Sequence, residues 1–184
     1  MEHRGTQRIE TDRLILRQFT VEDAQAMYDN WASDPEVTKY LTWPPHESAE
    51  ATALLLQQWV DCYRQNNYYQ WAIILKENGD FPIGSLFAEC PDDRIKKFQI
   101  GYCIGKNWWH QGIMSEALST VIRFLFEKVG ANRIEALHDP NNPHSGDVMK
   151  KCGMTFEGIF RQSDWNNQGI CDAAYYAILK DGSL

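Results

Sequence analysis

The sequence has little positive charge for its length: 18 Lys and Arg stand against 25 Asp and Glu, a formal net charge of −7. Such a chain has no basic surface with which to displace counterions from a phosphate backbone, so no nucleic-acid partner is expected. The same acidic field attracts amines. Long apolar runs are missing as well. No stretch approaches the roughly 20 residues of a membrane-crossing helix, and Met1 to Asp12 is polar, without the apolar core of a secretory signal. The expectation is therefore a cytoplasmic protein with no membrane role. The five cysteines (Cys62, Cys90, Cys103, Cys152 and Cys171) are scattered and form no C-x-x-C pair, as reduced thiols in a cytosolic protein do. His3, His46, His110, His138 and His144 show no ligand spacing of the H-E-x-x-H kind, so no metal is expected.

What is present is core material. Of 184 residues, 43% are hydrophobic and 23% charged, with 7 Trp, 8 Tyr and 8 Phe. That suits a single folded domain over 1–184, without repeats, linkers or low-complexity segments. Leu14 and Leu16 alternate with Arg13, Ile15 and Arg17, which reads as a strand within 8–17. Thr20 with Asp23 starts a helix whose apolar face is Ala24, Met27, Tyr28 and Trp31, and Asp34-Pro35 ends it. Ser48 caps a second helix through about Tyr63, with Ala51, Leu55, Trp59 and Cys62 on one face. Strands follow at 70–75 and 82–89, joined by the hairpin signal Asn78-Gly79-Asp80, and at 97–104. The clearest helix, 113–129, carries the stripe Ala117, Leu118, Val121, Ile122, Leu125 and Val129, and stops at Gly130. A buried strand at 132–137, a short helix begun by Asn142-Pro143 and ended by Gly153, and a final hairpin at 155–163 and 173–179 complete a mixed α/β order.

The informative stretch is Phe98 to Ala117. A strand runs into a turn at Gly112, and the turn opens the long helix. A helix N-terminus offers unpaired N–H groups and roughly half a positive charge, which suit a phosphate or diphosphate. Gly112 has no Cβ to keep an anion off the backbone, and Ser115 adds a hydroxyl. An ordinary strand-to-helix turn has the same outline. Neither a P-loop nor a dinucleotide fingerprint is present.

These residues resemble the GNAT acetyltransferases, in the branch that includes the ribosomal-protein N-acetyltransferases. The family turn Q/R-x-x-G-x-G/A falls on Trp109-His110-Gln111-Gly112-Ile113-Met114. Gly112 matches strictly, while Trp109 and Met114 depart from the pattern. The opening Thr11-Asp12-Arg13-Leu14-Ile15-Leu16-Arg17 is typical of the branch, as is Asp34-Pro35-Glu36-Val37-Thr38 followed by Trp43-Pro44-Pro45. A second signature maps in register on Asn142, Ser145, Val148, Lys151, Gly153 and Met154. Glu157-Gly158-Ile159-Phe160-Arg161, then Gly169 with Asp172, fit the branch ending loosely.

The resemblance implies a twisted, mostly antiparallel sheet of about seven strands flanked by about four helices. Its fourth and fifth strands, here 97–104 and 132–138, splay apart. It implies acetyl-CoA as co-substrate and direct transfer of the acetyl group to a primary amine, with a backbone N–H at the oxyanion. The acceptor is a protein N-terminal α-amine, a lysine side chain or a small-molecule amine. Backbone of Tyr102, Cys103 and Ile104 would hold the pantetheine arm. The amides of Gln111, Gly112, Ile113, Met114 and Ser115 would hold the diphosphate, and Asn142 and Ser145 would contact the cofactor. Ser145 stands where a hydroxyl can protonate the departing thiolate; a first-turn serine bonding its own backbone looks the same in sequence. Asn142 is equally a good N-cap. The branch often has Glu where this chain has Gln99, which cannot titrate. Glu89 is then the candidate base, with Glu157, Asp172 and water as alternatives, and a non-catalytic acyl-CoA sensor as the competing function. Lys151 suits a CoA phosphate or a solvated helix face. Cys103 reads as a core thiol rather than a nucleophile. Tyr40, Trp43 and Tyr68 suit either an acceptor pocket or the core. Apolar residues in Ala173 to Leu179 and the Trp165 loop make a homodimer an expectation.

Overall fold

A continuous run of buried residues, β3 (Tyr69–Leu75), forms the axis of the fold. A strand buried on both faces needs a layer on each side, and the computed structural model, which describes residues 1–180, supplies them. Eight strands lie in the order β1-β2-β3-β4-β5-β6-β8-β7. They are β1 (Ile9–Glu10), β2 (Leu14–Arg17), β3, β4 (Pro82–Asp92), β5 (Lys97–Ile104), β6 (Arg133–His138), β7 (Thr155–Asn166) and β8 (Gly169–Leu179). Every neighbouring pair is antiparallel except β5 with β6.

The first strand divides in two. Thr11 N–H bonds back to Leu14 O, so the chain turns at 11–13 before β2 forms. Leu14 and Leu16 face the core and are fully buried, as their alternation predicts. The helical segment that follows runs as a 3₁₀ turn (Val21–Asp23), α1 (Ala24–Met27) and a π turn (Tyr28–Ala32). Asp34-Pro35 does more than end it: Asp34 accepts the Glu36 amide and Pro35 opens α2 (Pro35–Thr38), a fifth helix. Helix α3 (Ala49–Cys62) begins at Ser48, whose hydroxyl accepts the Ala51 amide. Its inward face is centred on Thr52 and Leu56, a rotation from the expected face that leaves Ala51 exposed.

Helix α4 (Ile113–Phe124) continues through a π turn (Leu125–Val129) to Gly130, in the left-handed region at φ 85°. Its stripe packs on one sheet face with the inward residues of β2 to β6, together with Met149 and Cys152 near α5 (Pro143–Lys151). The other face, through Ala72 and Ile74, packs against Phe19, Met27, Trp31 and Leu56 from the α1–α3 side. Arg17 and Asp23 fasten that side to β2 in a bidentate pair (2.7 and 2.8 Å), and Asp23 also accepts the Thr20 amide.

The feature that makes room for a ligand is the β5–β6 pair. The strands are joined only at Lys97–Arg133, Phe98–Ile134 and Gln99–Glu135. Beyond Gln99, β5 keeps its β4 partner up to Ile104, while β6 continues on β8. The sheet therefore opens between Ile100–Ile104 and Ala136–His138, which are the expected splayed strands.

Candidate active site

Helices α4 and α5 start at this opening. Gly112, the N-cap of α4, has φ 72° and ψ 2°, a left-handed conformation that a residue with a Cβ adopts only with strain. The first helical bond is Glu116 N–H to Gly112 O. Among the described residues no acceptor takes the N–H of Gly112, Ile113, Met114 or Ser115. Four donors and the positive end of a three-turn helix thus face outward together. The preceding turn is pinned by Trp109, whose indole N–H donates to Ile104 O at 2.9 Å. The Gln111 side-chain amide donates to Asn107 O, and His110 is itself left-handed at φ 59°.

Helix α5 closes the other side. Gly146 lies against His138 at the end of β6, where an added Cβ would come within 2.5 Å of the ring. This close approach brings Ser145 to Tyr102. Ser145 Oγ donates to the Tyr102 hydroxyl (3.0 Å), which donates to the Ser145 carbonyl (2.9 Å). The pair bridges β5 and α5 across the split. Burial raises the Tyr102 pKa, outweighing the bond from Ser145, so the hydroxyl keeps its proton at neutral pH.

Between these parts lies a cleft of about 250 Å³. Tyr102, Cys103, Ile104, Gly112, Ile113, Met114, Ser115, Asn142 and Ser145, all anticipated, line it together. Asn142 holds the N-cap position but makes no side-chain capping bond, so its amide is available to the cleft. Cys103 turns its thiol toward Ser85 Oγ (3.4 Å), and burial pushes its pKa up to about 11. At neutral pH this thiol therefore keeps its proton. Gln111 does not line the cleft: its carbonyl is turned to Arg13, which bonds it at 3.1 Å.

Glu89 is not brought to the cleft. It opposes Gln99, where β5 and β6 are still joined, and lines a separate hollow with His3, Tyr68, Tyr69, Cys90 and Asp93. Glu157 is engaged by Arg133, and Asp172 accepts the Gln162 amide. Tyr40 and Lys151 line the cleft, whereas Trp43 packs beside His46 in the α1–α3 layer. In the second hollow the donor atoms of His3, Cys90 and Asp93 lie within 4.8 Å of one another, a juxtaposition invisible in their spacing. His3 and the Cys90 thiol both bond Asp93 at 3.1 Å.

Sequence reading missed Val37, Leu41, Trp108, His144 and Asp147 as cleft residues. His144 and Asp147 had a signal: with Ser145, Val148 and Lys151 they follow steps of three and four along α5. His144 meets His110 edge-on across the cleft, with ring centres 4.8 Å apart. Val37 and Leu41 reach it only through the tertiary fold.

The cleft can hold an extended ligand along the open edge of β5, with an anionic group at the α4 amides and a reacting centre near Ser145. Comparison with known proteins agrees in kind. Residues 13–155 match the acetyltransferase (GNAT) domain family. The chain is 32% identical over 172 residues to the uncharacterized N-acetyltransferase YoaA of Bacillus subtilis, covering 94% of this chain and 96% of that one. It is 26% identical to the [ribosomal protein uS5]-alanine N-acetyltransferase of Escherichia coli, covering 82% and 79%. Its fold superposes on RimL, a ribosomal L7/L12 α-N-protein acetyltransferase in complex with coenzyme A, with a TM-score of 0.83 at 21% identity, covering 96% and 100%.

Proposed function

Since the chain belongs to the family of GNAT acetyltransferase domains and is an acetyl-CoA-dependent N-acetyltransferase, we propose that it acetylates a primary α-amine, on a protein N-terminus or a small molecule. The observation that carries this reading is the cleft itself, where the open edge of β5, four unpaired amides of the α4 N-terminus and the Ser145–Tyr102 pair converge. In this reading the α4 amides and Ser115 hold the diphosphate, the β5 edge at Tyr102 and Ile104 holds the pantetheine arm, because the ladder register turns the Cys103 peptide groups to Ser85 of β4, and Asn142 bonds an amide of that arm. The carbonyl of Ile104 is already engaged by Trp109, which leaves its N–H and side chain as contacts.

The amine nitrogen attacks the thioester carbonyl, a C–N bond forms, and the C–S bond breaks. The nitrogen loses its proton to water. The thiolate sulfur gains one from Ser145 Oγ, the Tyr102 hydroxyl passes its proton to Ser145, and the proton left in water by the amine restores Tyr102. No carboxylate but Asp147 lines the cleft among the described residues. A lysine ammonium, with pKa about 10.4, would need a strong base there, whereas an α-amine near 8 supplies enough neutral nucleophile at neutral pH. This favours α-amines over lysine side chains. The relatives that act on a ribosomal-protein alanine and serine support a protein acceptor. Val37, Tyr40 and Leu41 form the wall of the cleft against which such an acceptor would rest.

The reading is of a cytoplasmic enzyme, and no helix among the described residues is long and apolar enough to cross a membrane. It is also of a homodimer, because β7 exposes Phe156, Ile159, Phe160 and Trp165, and the start of β8 exposes Ile170, at one end of the sheet. Sedimentation equilibrium should give twice the chain mass for the wild type and a monomer for Phe160→Glu. A monomeric wild type at micromolar concentration would remove that part.

Isothermal titration with acetyl-CoA, followed by thiol release on a panel of peptides and small amines, tests the whole. Binding, with release fastest on α-amines, is expected. Binding without release on any amine would overturn the transfer, and faster release on lysine side chains would overturn the preference.

A further inference from the structure

In a planar trans peptide the C=O and the following N–H point in opposite directions. The carbonyl of Gln111 points to Arg13 Nη1 (3.1 Å), and Arg13 lies outside the cleft lining. The N–H of Gly112 therefore points the other way, to the side where Gly112 itself lines the cleft and where no described residue accepts it. Arg13 is held in turn. Its Nε and Nη2 both engage Glu116 Oε2 at 2.7 Å. The second Glu116 oxygen accepts from the Thr11 hydroxyl (2.5 Å), and Thr11 Oγ1 accepts the Leu14 amide (2.9 Å). The turn between β1 and β2 is thus bolted to the first turn of α4, about 100 residues away in sequence.

The glycine makes such a brace necessary. Without a Cβ, residue 112 adopts positive and negative φ at similar cost. Rotating the 111–112 peptide, which would exchange the directions of the Gln111 carbonyl and the Gly112 N–H, meets little local resistance. A flipped peptide would present a carbonyl oxygen to an anion. We propose that Arg13, held by Glu116, is a positioning residue for the donor substrate: it locks the 111–112 peptide so that the Gly112 N–H faces the diphosphate. The inference rests on the reading that the CoA diphosphate binds at this turn.

The test compares CoA with acetyl-pantetheine, a donor that lacks the diphosphate and nucleotide. In Arg13→Met the dissociation constant for CoA should rise about tenfold, as expected for the loss of a charge-assisted bond. The KM for acetyl-pantetheine in thiol release should stay at the wild-type value. Arg13→Lys keeps the charge but not the fork, so it should recover part of the CoA affinity. Glu116→Gln, which keeps an oxygen for Arg13, should lose less than Arg13→Met. In amide proton–nitrogen spectra the wild-type Gly112 resonance should move strongly with CoA, and that of Arg13→Met weakly. If Arg13→Met does not fold, the Lys and Gln variants carry the comparison. Unchanged CoA affinity in folded variants, or equal losses for both donors, would overturn the positioning role while leaving the turn as the CoA site. A wild type that binds CoA with no response at Gly112 would instead refute the turn as the diphosphate site, and the inference with it.

Discussion

At Ser145 the hydroxyl proton already has a destination, the Tyr102 oxygen 3.0 Å away. Serving a thiolate requires only that Oγ rotate toward sulfur, and the Tyr102 hydroxyl, kept protonated by burial, then turns to it as donor. A residue with this task matters to the chemical step and little to binding. Ser145→Ala should lower kcat about 10²-fold, the lower end of what general acids contribute, and leave the acetyl-CoA dissociation constant at the wild-type value. Unchanged kcat, read by thiol release at saturating donor, would return Ser145 to a purely structural place on α5. The sequence made Gly112 and Asn142 visible because each sits at a helix start, where local chemistry leaves a signature, whereas Ser145 was visible only through the family resemblance of the signature that Asn142 opens. Arg13 was visible only as part of a motif. Its function is a contact across about 100 residues, and no periodicity encodes that. Trp109, which departs from the family turn in sequence, takes a structural task by bonding the Ile104 carbonyl.

Elements were legible where burial is one-sided or complete. The stripe of α4 and the unbroken apolar run of β3 are read directly from residue type. The face of α3 was not, because its apolar residues spread over more than one side and only contact with Phe19 and Trp31 selects Leu56. The β7–β8 turn carries a contact that no local pattern shows. Asn167 Nδ2 donates to Thr38 O (2.8 Å) and Trp43 O (2.7 Å), and its backbone N–H donates to Leu41 O (3.1 Å). The hairpin thereby holds the segment that supplies Tyr40 and Leu41 to the cleft wall. Asn167→Ala removes two side-chain bonds, each worth about 1 kcal/mol. The KM for the accepted amine should rise about fivefold, the equivalent of about 1 kcal/mol or half of the two lost bonds, since the backbone bond to Leu41 stays in place, and the CoA dissociation constant should not move. A parallel rise in both constants would show that the hairpin supports the whole cleft rather than its acceptor wall.

For the molecule as a whole, the excess of acidic residues sets how stability responds to pH. Several carboxylates are held below their usual range in the fold. For Glu157 the leading cause is its bond from Arg133. For Glu116 burial pushes upward, but the Thr11 hydroxyl and Arg13 outweigh it. For Asp139 burial likewise pushes upward, and bonds from the Asn141 amide, the Asn166 side chain and the Asn141 side chain outweigh it. In each case the folded state gives up its proton more readily than the unfolded chain. Between the folded and unfolded pKa values the unfolded chain binds more protons, so acid favours unfolding. The stabilisation is complete above the unfolded pKa, about 4 for these groups, and is lost as pH falls through the lower, folded values. The Tm should therefore be flat from pH 7 to about 5 and fall steeply below about 4. Asp139 joins the end of β6, where the sheet splits, to Asn166 at the β7–β8 turn, and Glu116 holds Arg13 behind the α4 turn. Protonation should accordingly disturb the cleft before the core: CoA binding, followed by titration at stepwise lower pH, should weaken at a higher pH than the one at which near-ultraviolet circular dichroism reports loss of the aromatic core. Coincident midpoints for the two signals would mean that the carboxylates around the cleft act only through global unfolding.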